Sequence, residues 1–83
     1  MMSLYETAYQ LIWQKAIELY ENGKTITCEE LRVWLNNQLP DNFQYGLLSG
    51  SVFHAAWVRA DDYGKEAMES GCFLNYKGQP LPK

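Results

Sequence analysis

Residues 45–59 read YGLLSGSVFHAAWVR, and the interpretation of this stretch governs the fold prediction for the 83-residue chain. Leu, Val, Phe and Trp recur there at helical intervals, which predicts a third amphipathic helix over about residues 45–60, and the alternative is that this stretch is not one continuous helix. Gly46 and Gly50 lie one turn apart on the same face of that helix, although each glycine costs about 1 kcal/mol relative to Ala. We therefore expect the two glycines to admit a neighbouring helix at close range, against Trp13 or Trp34.

Two helices are predicted upstream of this stretch, over about residues 3–22 and 27–39. Each begins with a capping box, S-x-x-E at Ser3 and T-x-x-E at Thr27, in which side-chain oxygens accept from free backbone N–H groups. Each continues as an apolar stripe at three- and four-residue steps, and the first is expected to end at Gly23. The link between the two helices, GKTI, is short and β-branched, so we expect a brief strand there.

The remainder of the chain contains a polar segment followed by a segment that is typical of strands and turns. The segment RADDYGKEAMESG at residues 59–71 is polar and predicts turns, whereas CFLNYKGQPLP at residues 72–82 predicts a hairpin over about residues 71–81. Such a hairpin could pair with the short stretch near Thr25 and Ile26, but the sequence leaves its strand pairing open. The sequence therefore predicts a single domain over residues 1–83 that is mainly α, with three helices and a small β-hairpin.

This order of elements resembles the winged helix-turn-helix class, and in particular the small winged-helix domains of phages and other mobile elements. The pattern G-x-x-F-x-x-A at Gly50, Phe53 and Ala56 is similar to the helix that follows a Pro-bounded turn in those domains. The resemblance spans about residues 8–79. It implies that the third helix is a recognition helix and that residues 71–79 form a glycine-containing wing.

Such a resemblance implies DNA binding through the third helix and the wing. Ser51 and His54 would then face bases, while Arg59, Lys65 and Lys77 would contact phosphates. Reading helices normally project Arg, Lys, Asn or Gln, and two aspartates follow this helix. The net charge of −3 also counts against DNA, because dedicated DNA binders usually carry a basic face.

The second hypothesis is a protein-binding module on the same scaffold. Three Trp, six Tyr and three Phe occur in 83 residues, and rings that the core does not hide are typical of interaction patches. We expect a small non-enzymatic binding module, a regulatory or accessory protein of a phage or mobile element, that contacts a protein partner or forms a homodimer. DNA binding is the alternative.

Chemistry at a catalytic or metal site is not indicated by the sequence. His54 is the only histidine, and neither Cys28 nor Cys72 lies in a nucleophile motif or at zinc-ligand spacing. We expect no enzyme activity, no cofactor, no metal and no small-molecule substrate. The N-terminus lacks the pattern of a signal peptide and no apolar run reaches the length of a membrane span, which predicts a cytoplasmic protein with reduced thiols.

Overall fold

The computed structural model describes residues 3–46 and 48–81, and this part of the chain is mainly helical, as the sequence predicts. It contains four α-helices and two short strands: α1 (Leu4–Asn22), β1 (Ile26–Thr27), α2 (Cys28–Gln38), α3 (Gly50–Arg59), α4 (Asp62–Glu69) and β2 (Phe73–Leu74).

Local hydrogen bonds set both ends of α1. The hydroxyl of Ser3 accepts from the backbone N–H of Glu6 at 3.1 Å, while the carboxylate of Glu6 binds Arg59 instead of reaching back to the cap. At the other end Gly23 has φ 64°, a left-handed conformation that glycine adopts without a Cβ clash, and its N–H donates to the carbonyl of Tyr20 at 3.3 Å. The expected end of the helix at Gly23 is confirmed.

The capping box of α2 is complete. The backbone N–H of Glu30 donates to Thr27 Oγ1 at 3.1 Å, and the backbone N–H of Thr27 donates to Glu30 Oε1 at 3.1 Å. This box joins β1 directly to the first turn of α2 and gives partners to two backbone N–H groups that the helix itself leaves unpaired.

The two strands pair in parallel, with Ile26 opposite Phe73. The structure therefore contains the expected brief strand before α2, and it pairs this strand with the C-terminal segment, a pairing that the sequence left open. The hairpin expected over residues 71–81 is reduced to one antiparallel bridge between Leu74 and Pro80. Proline has no backbone N–H and cannot continue a ladder, which limits the hairpin to this single bridge.

The start of α3 corrects the prediction of a helix over residues 45–60. The side-chain amide of Asn36 donates to the carbonyl of Tyr45 at 3.1 Å and accepts from its backbone N–H at 2.7 Å, so this backbone is paired with α2 instead of a helical turn. Gly46 and Gly50 are exposed, and a Cβ on either would meet no heavy atom within 4 Å. The expectation that they admit a neighbouring helix is wrong.

Helix α4 replaces the turns expected after residue 60. Asp61 caps this helix, since its Oδ1 accepts from the backbone N–H of Gly64 at 2.6 Å. Gly64 is buried, and a Cβ there would lie 2.8 Å from Cε3 of Trp13. A close approach between a helical glycine and Trp13 therefore exists, but in α4 and not in α3.

The core forms around α1, which packs most extensively against α3 and α4. Its buried side chains come from every helix and from the segment around β2: Ala8, Ile12, Ala16, Leu19, Leu31, Leu35, Leu39, Phe53, Ala56, Ala67, Cys72 and Phe73. Helices α3 and α4 both pack against α1. They border a groove, and the C-terminal end of the described chain lines one side of it.

Candidate functional site

The candidate site is an open groove of about 840 Å³ between α3, α4 and β2. Six apolar side chains line it: Phe53, Trp57, Met68, Phe73, Pro80 and Leu81. Concave, mostly apolar surfaces of this size are where proteins usually take up ligands or the side chains of a partner. The groove is thus a candidate binding surface among the described residues.

Aromatic side chains form the floor and one wall of the groove. The rings of Phe53 and Phe73 lie 5.3 Å apart at 43° and are both buried. Trp57 is half-buried, with His54 stacked on it at 6.1 Å and Lys65 Nζ 4.9 Å from its ring centroid. These contacts hold the indole in place before any partner arrives, which lowers the entropy lost on binding.

The indole Nε1 of Trp57 is a buried donor with no hydrogen-bond partner among the described residues. A buried donor without an acceptor costs about 1–3 kcal/mol. This cost falls on a side chain that lines the groove.

The rim of the groove carries a negative charge. Among the lining residues that the structure describes, Glu69 is the only Asp, Glu, Lys or Arg. Glu69 lies in the last turn of α4, and that turn contains no basic residue. Because the C-terminal end of a helix is the negative end of its dipole, the carboxylate and the dipole both favour a cation there.

The net charge of the chain is concentrated beside the groove. Residues 61–70 contain Asp61, Asp62, Glu66 and Glu69 against Lys65, that is, four acids and one base. Their net charge of −3 equals that of the whole chain, so the remaining residues are balanced. A phosphate backbone approaching α4 would be repelled.

Arg59, one of the residues expected to contact phosphate, is bound within the chain. Its Nε and Nη2 donate to the carboxylate of Glu6 at 2.6 and 2.8 Å, and its Nη1 donates to the carbonyl of Ala55 at 2.9 Å. The guanidinium also lies 4.7 Å from the ring centroid of Tyr9. The hydrogen bond from Arg59 lowers the pKa of Glu6, so both partners stay charged and paired at neutral pH.

The other candidate residues are dispersed. Ser51 is exposed at the start of α3, where its Oγ lies 2.9 Å from that of Ser49. Lys77 is exposed on the turn after β2, 5.7 Å from the ring centroid of Tyr76. Of the five residues expected to contact DNA, the structure brings only His54 and Lys65 onto a shared side chain, which is Trp57.

The two cysteines are free thiols. Cys72 is buried and its Sγ donates to the carbonyl of Ala67 at 3.4 Å, while Cys28 is half-buried. Burial raises the pKa of both thiols, so their reactive thiolate forms are scarce at neutral pH. Across residues 3–46 and 48–81, no three His, Cys, Asp or Glu side chains come together as a candidate metal site.

Sequence reasoning missed most of the groove. It placed Trp57 in a core stripe, and it assigned Met68 and Glu69 to a turn-rich segment. Three signals for α4 were present: Asp61 is a favoured cap residue, an acid follows it in the first turn, and Ala67 lies six residues on at a core-facing position.

Comparison of the chain with models of known protein families, with curated proteins and with solved structures finds no match. In the part of the chain that the structure describes, no helix is both long enough and apolar enough to cross a membrane. A functional assignment therefore depends on the chemistry of the groove.

Proposed function

We propose that this chain is a small non-enzymatic binding module that acts through protein–protein contacts, with the groove between α3, α4 and β2 as its contact surface. The observation that carries this proposal is the groove of about 840 Å³, with Trp57 held at its wall and apolar side chains around it. Tryptophan in a concave, well-packed setting is typical of the residues that dominate binding energy at protein interfaces.

A regulatory or accessory role in a phage or mobile element is part of the same proposal. It is supported by the order α1–β1–α2–α3, which resembles the winged-helix arrangement, with α4 as an addition between α3 and β2. Fold resemblance alone does not assign a function, so the groove carries more weight here than the order of elements.

The alternative function is DNA binding through α3 and the turn after β2. Exposed Lys77 favours it. Two observations weigh against it: Arg59 is engaged by Glu6, and residues 61–70 place net negative charge beside α3. Since non-specific DNA affinity comes mainly from free cations near phosphates, these two features favour a protein partner.

Two tryptophans provide a matched test. Trp57 and Trp34 are both half-buried, and each has a lysine near its ring, Lys65 at 4.9 Å and Lys15 at 4.8 Å. Only Trp57 lines the groove. The variants Trp57→Ala and Trp34→Ala therefore remove similar contacts from the fold, but only the first alters the proposed contact surface.

The experiment selects peptides from a random displayed library on the wild-type protein and measures the affinity of each enriched peptide by calorimetry. We expect affinity about tenfold or more weaker for Trp57→Ala, and little change for Trp34→Ala, because truncation of a central aromatic typically costs more than about 1 kcal/mol. Circular dichroism of both variants checks that they fold.

Two results would contradict the proposal. One is a selection that enriches no peptide, and the other is a set of peptides that bind Trp57→Ala as tightly as wild type. A labelled DNA duplex at low salt is the parallel measurement. Binding that weakens steeply as salt rises would instead support the DNA alternative.

A further inference from the structure

Tyr76 differs from the other exposed tyrosines. Tyr5 packs edge-to-face on Phe43 at 5.0 Å, and Tyr20 packs on Tyr63 at 5.9 Å. Tyr76 is 88% exposed and contacts no other ring among the described residues. Tyrosine is enriched at protein interfaces, so this exposed ring is a candidate contact between the turn and a partner.

The turn that carries Tyr76 is held by Asn75. The side-chain Oδ1 of Asn75 accepts from the backbone N–H groups of Lys77 at 2.8 Å and Gln79 at 3.0 Å, and its carbonyl accepts from Gly78 at 2.9 Å. A turn fixed in this way presents its tip with little further loss of conformational entropy on binding.

The tip of this turn combines an aromatic ring with a cation. Lys77 Nζ lies 5.7 Å from the ring centroid of Tyr76 and forms no ion pair with a carboxylate among the described residues. The groove offers the complementary pair: an apolar lining around Trp57, and Glu69 on its rim at the negative end of α4. The ring of Tyr76 therefore suits the apolar groove, and the ammonium group of Lys77 suits the carboxylate of Glu69.

The turn and the groove adjoin each other on the same molecule. The chain leaves the groove wall at Phe73, passes through the turn and returns to the wall at Pro80 and Leu81. Tyr76 does not fill its own groove, because it is 88% exposed. A projecting element next to its complement makes a self-complementary surface, which is the requirement for a two-fold symmetric dimer.

We infer that the groove is occupied by the turn of a second copy of this chain, in a two-fold dimer in which Tyr76 enters the partner's groove and Lys77 pairs with Glu69. This inference rests on the proposed function and names the partner for the same site. Each dimer contains the contact twice, so a change in one residue acts at two places.

The dimer is expected to be weak. A stable interface typically buries about 800 Å² on each partner, whereas the whole surface of this chain is 5338 Å². A turn and a groove bury less than that typical area, so we expect dissociation constants between about 10 µM and 1 mM. Sedimentation equilibrium across that range of concentrations measures them.

Charge reversal within one chain tests the pairing. Glu69→Lys and Lys77→Glu each replace two attractions with two repulsions, and each is expected to weaken the dimer about tenfold or more. The double variant restores both attractions with the signs exchanged and is expected to recover the wild-type constant. Tyr76→Ser is expected to weaken the dimer without changing any charge.

Matched controls come from exposed charges elsewhere. Glu66 lies on α4 beside Tyr20, and Lys24 lies in the link before β1. Glu66→Lys and Lys24→Glu make the same changes in net charge outside the turn and the groove, and should leave the dimer unchanged. The mutated side chains are all exposed, so circular dichroism should match wild type for every variant.

Three results would overturn the inference: a monomer up to about 1 mM, a dimer that none of the variants weakens, or single variants that dissociate a dimer which the double variant fails to restore. These results are separable from failure of the proposed function. A monomeric chain whose groove still binds selected peptides through Trp57 removes only the dimer, whereas loss of peptide binding removes the groove as a contact surface.

Discussion

Replacement of Gly64 by Ala is expected to destabilise this chain, although alanine is the better helix former. The added Cβ would lie 2.8 Å from Cε3 of Trp13, and 3.1 Å from both the Cβ of Ala60 and Oδ1 of Asp61. A contact of 2.8 Å between carbon atoms is shorter than van der Waals separation, so either the indole or α4 has to move. Cε3 belongs to a rigid ring, which moves only as a whole.

The magnitude follows from two opposing effects. Replacement of a helical glycine by alanine contributes about 1 kcal/mol of stability. An extra methyl group in a packed region costs about 1–3 kcal/mol. Because the shortest contact is to a ring carbon and two others are tight, we place the cost in the upper part of that range. The free energy of unfolding should then fall by about 1 kcal/mol, which lowers Tm by about 4–8 °C in a domain of this size.

Thermal and urea denaturation, followed by circular dichroism, measure the change. Gly50→Ala is the control, because a Cβ at Gly50 meets no heavy atom within 4 Å and should be neutral or stabilising. In a Trp13→Leu background the ring is absent, and Gly64→Ala should then cost less than in wild type, because only the contacts of 3.1 Å to Ala60 and Asp61 remain. A higher Tm for Gly64→Ala in the wild-type background, or the same effect in both backgrounds, would refute the steric argument.

Three further predictions concern caps, charge and thiols. Thr27→Ala removes the hydroxyl that accepts from Glu30 and should lower the free energy of unfolding by about 1 kcal/mol in urea; an unchanged value would contradict the cap. The hydrogen bond from Arg59 lowers the pKa of Glu6, so the stability it contributes is present above the ordinary pKa of 4.5 and is lost as pH falls through the lower folded-state pKa. Glu6→Gln should flatten this part of a Tm–pH profile, and an unaltered acid slope would count against the pair. Burial raises the pKa of Cys72, so iodoacetamide should label it slowly until urea is added, as read by mass spectrometry; rapid labelling of the folded chain would show an open thiol.

Local signals in the sequence predicted the first half of the chain well. The capping box at Thr27 and the helix end at Gly23 depend on contacts within about four residues, and both are confirmed. The strand at Ile26 was also predicted, because β-branched residues in a short link favour an extended backbone. The mainly helical composition followed from the same apolar periodicity.

The second half depended on contacts that periodicity does not reveal. The start of α3 is set by Asn36, whose amide pairs with the backbone of Tyr45 nine residues later. An asparagine near the end of α2 indicates only that the helix stops there. The neighbouring residues do not indicate that Asn36 binds the backbone of Tyr45. Gly46 and Gly50 therefore suggested packing, although they lie in solvent, while Gly64 was the glycine in close contact with Trp13.

Among the candidate binding residues, too, some properties followed from the local sequence and others depended on contacts between distant segments. Lys77 and His54 are exposed, as their polar character indicates, because short-range hydrophobic patterning is enough to separate surface from core. The commitment of Arg59 to Glu6, 53 residues away, followed from the packing of α3 on α1. The groove likewise brings Phe53, Met68 and Leu81 together from separate elements. Neighbouring residues determine the caps and the helix ends, because the hydrogen bonds of these features form within about one turn. They also favour an extended backbone in the link, although the hydrogen bonds of that strand go to the distant segment around β2. The groove and its charges arise from burial between distant segments, and that arrangement exists only once α3, α4 and the segment after β2 have packed around α1.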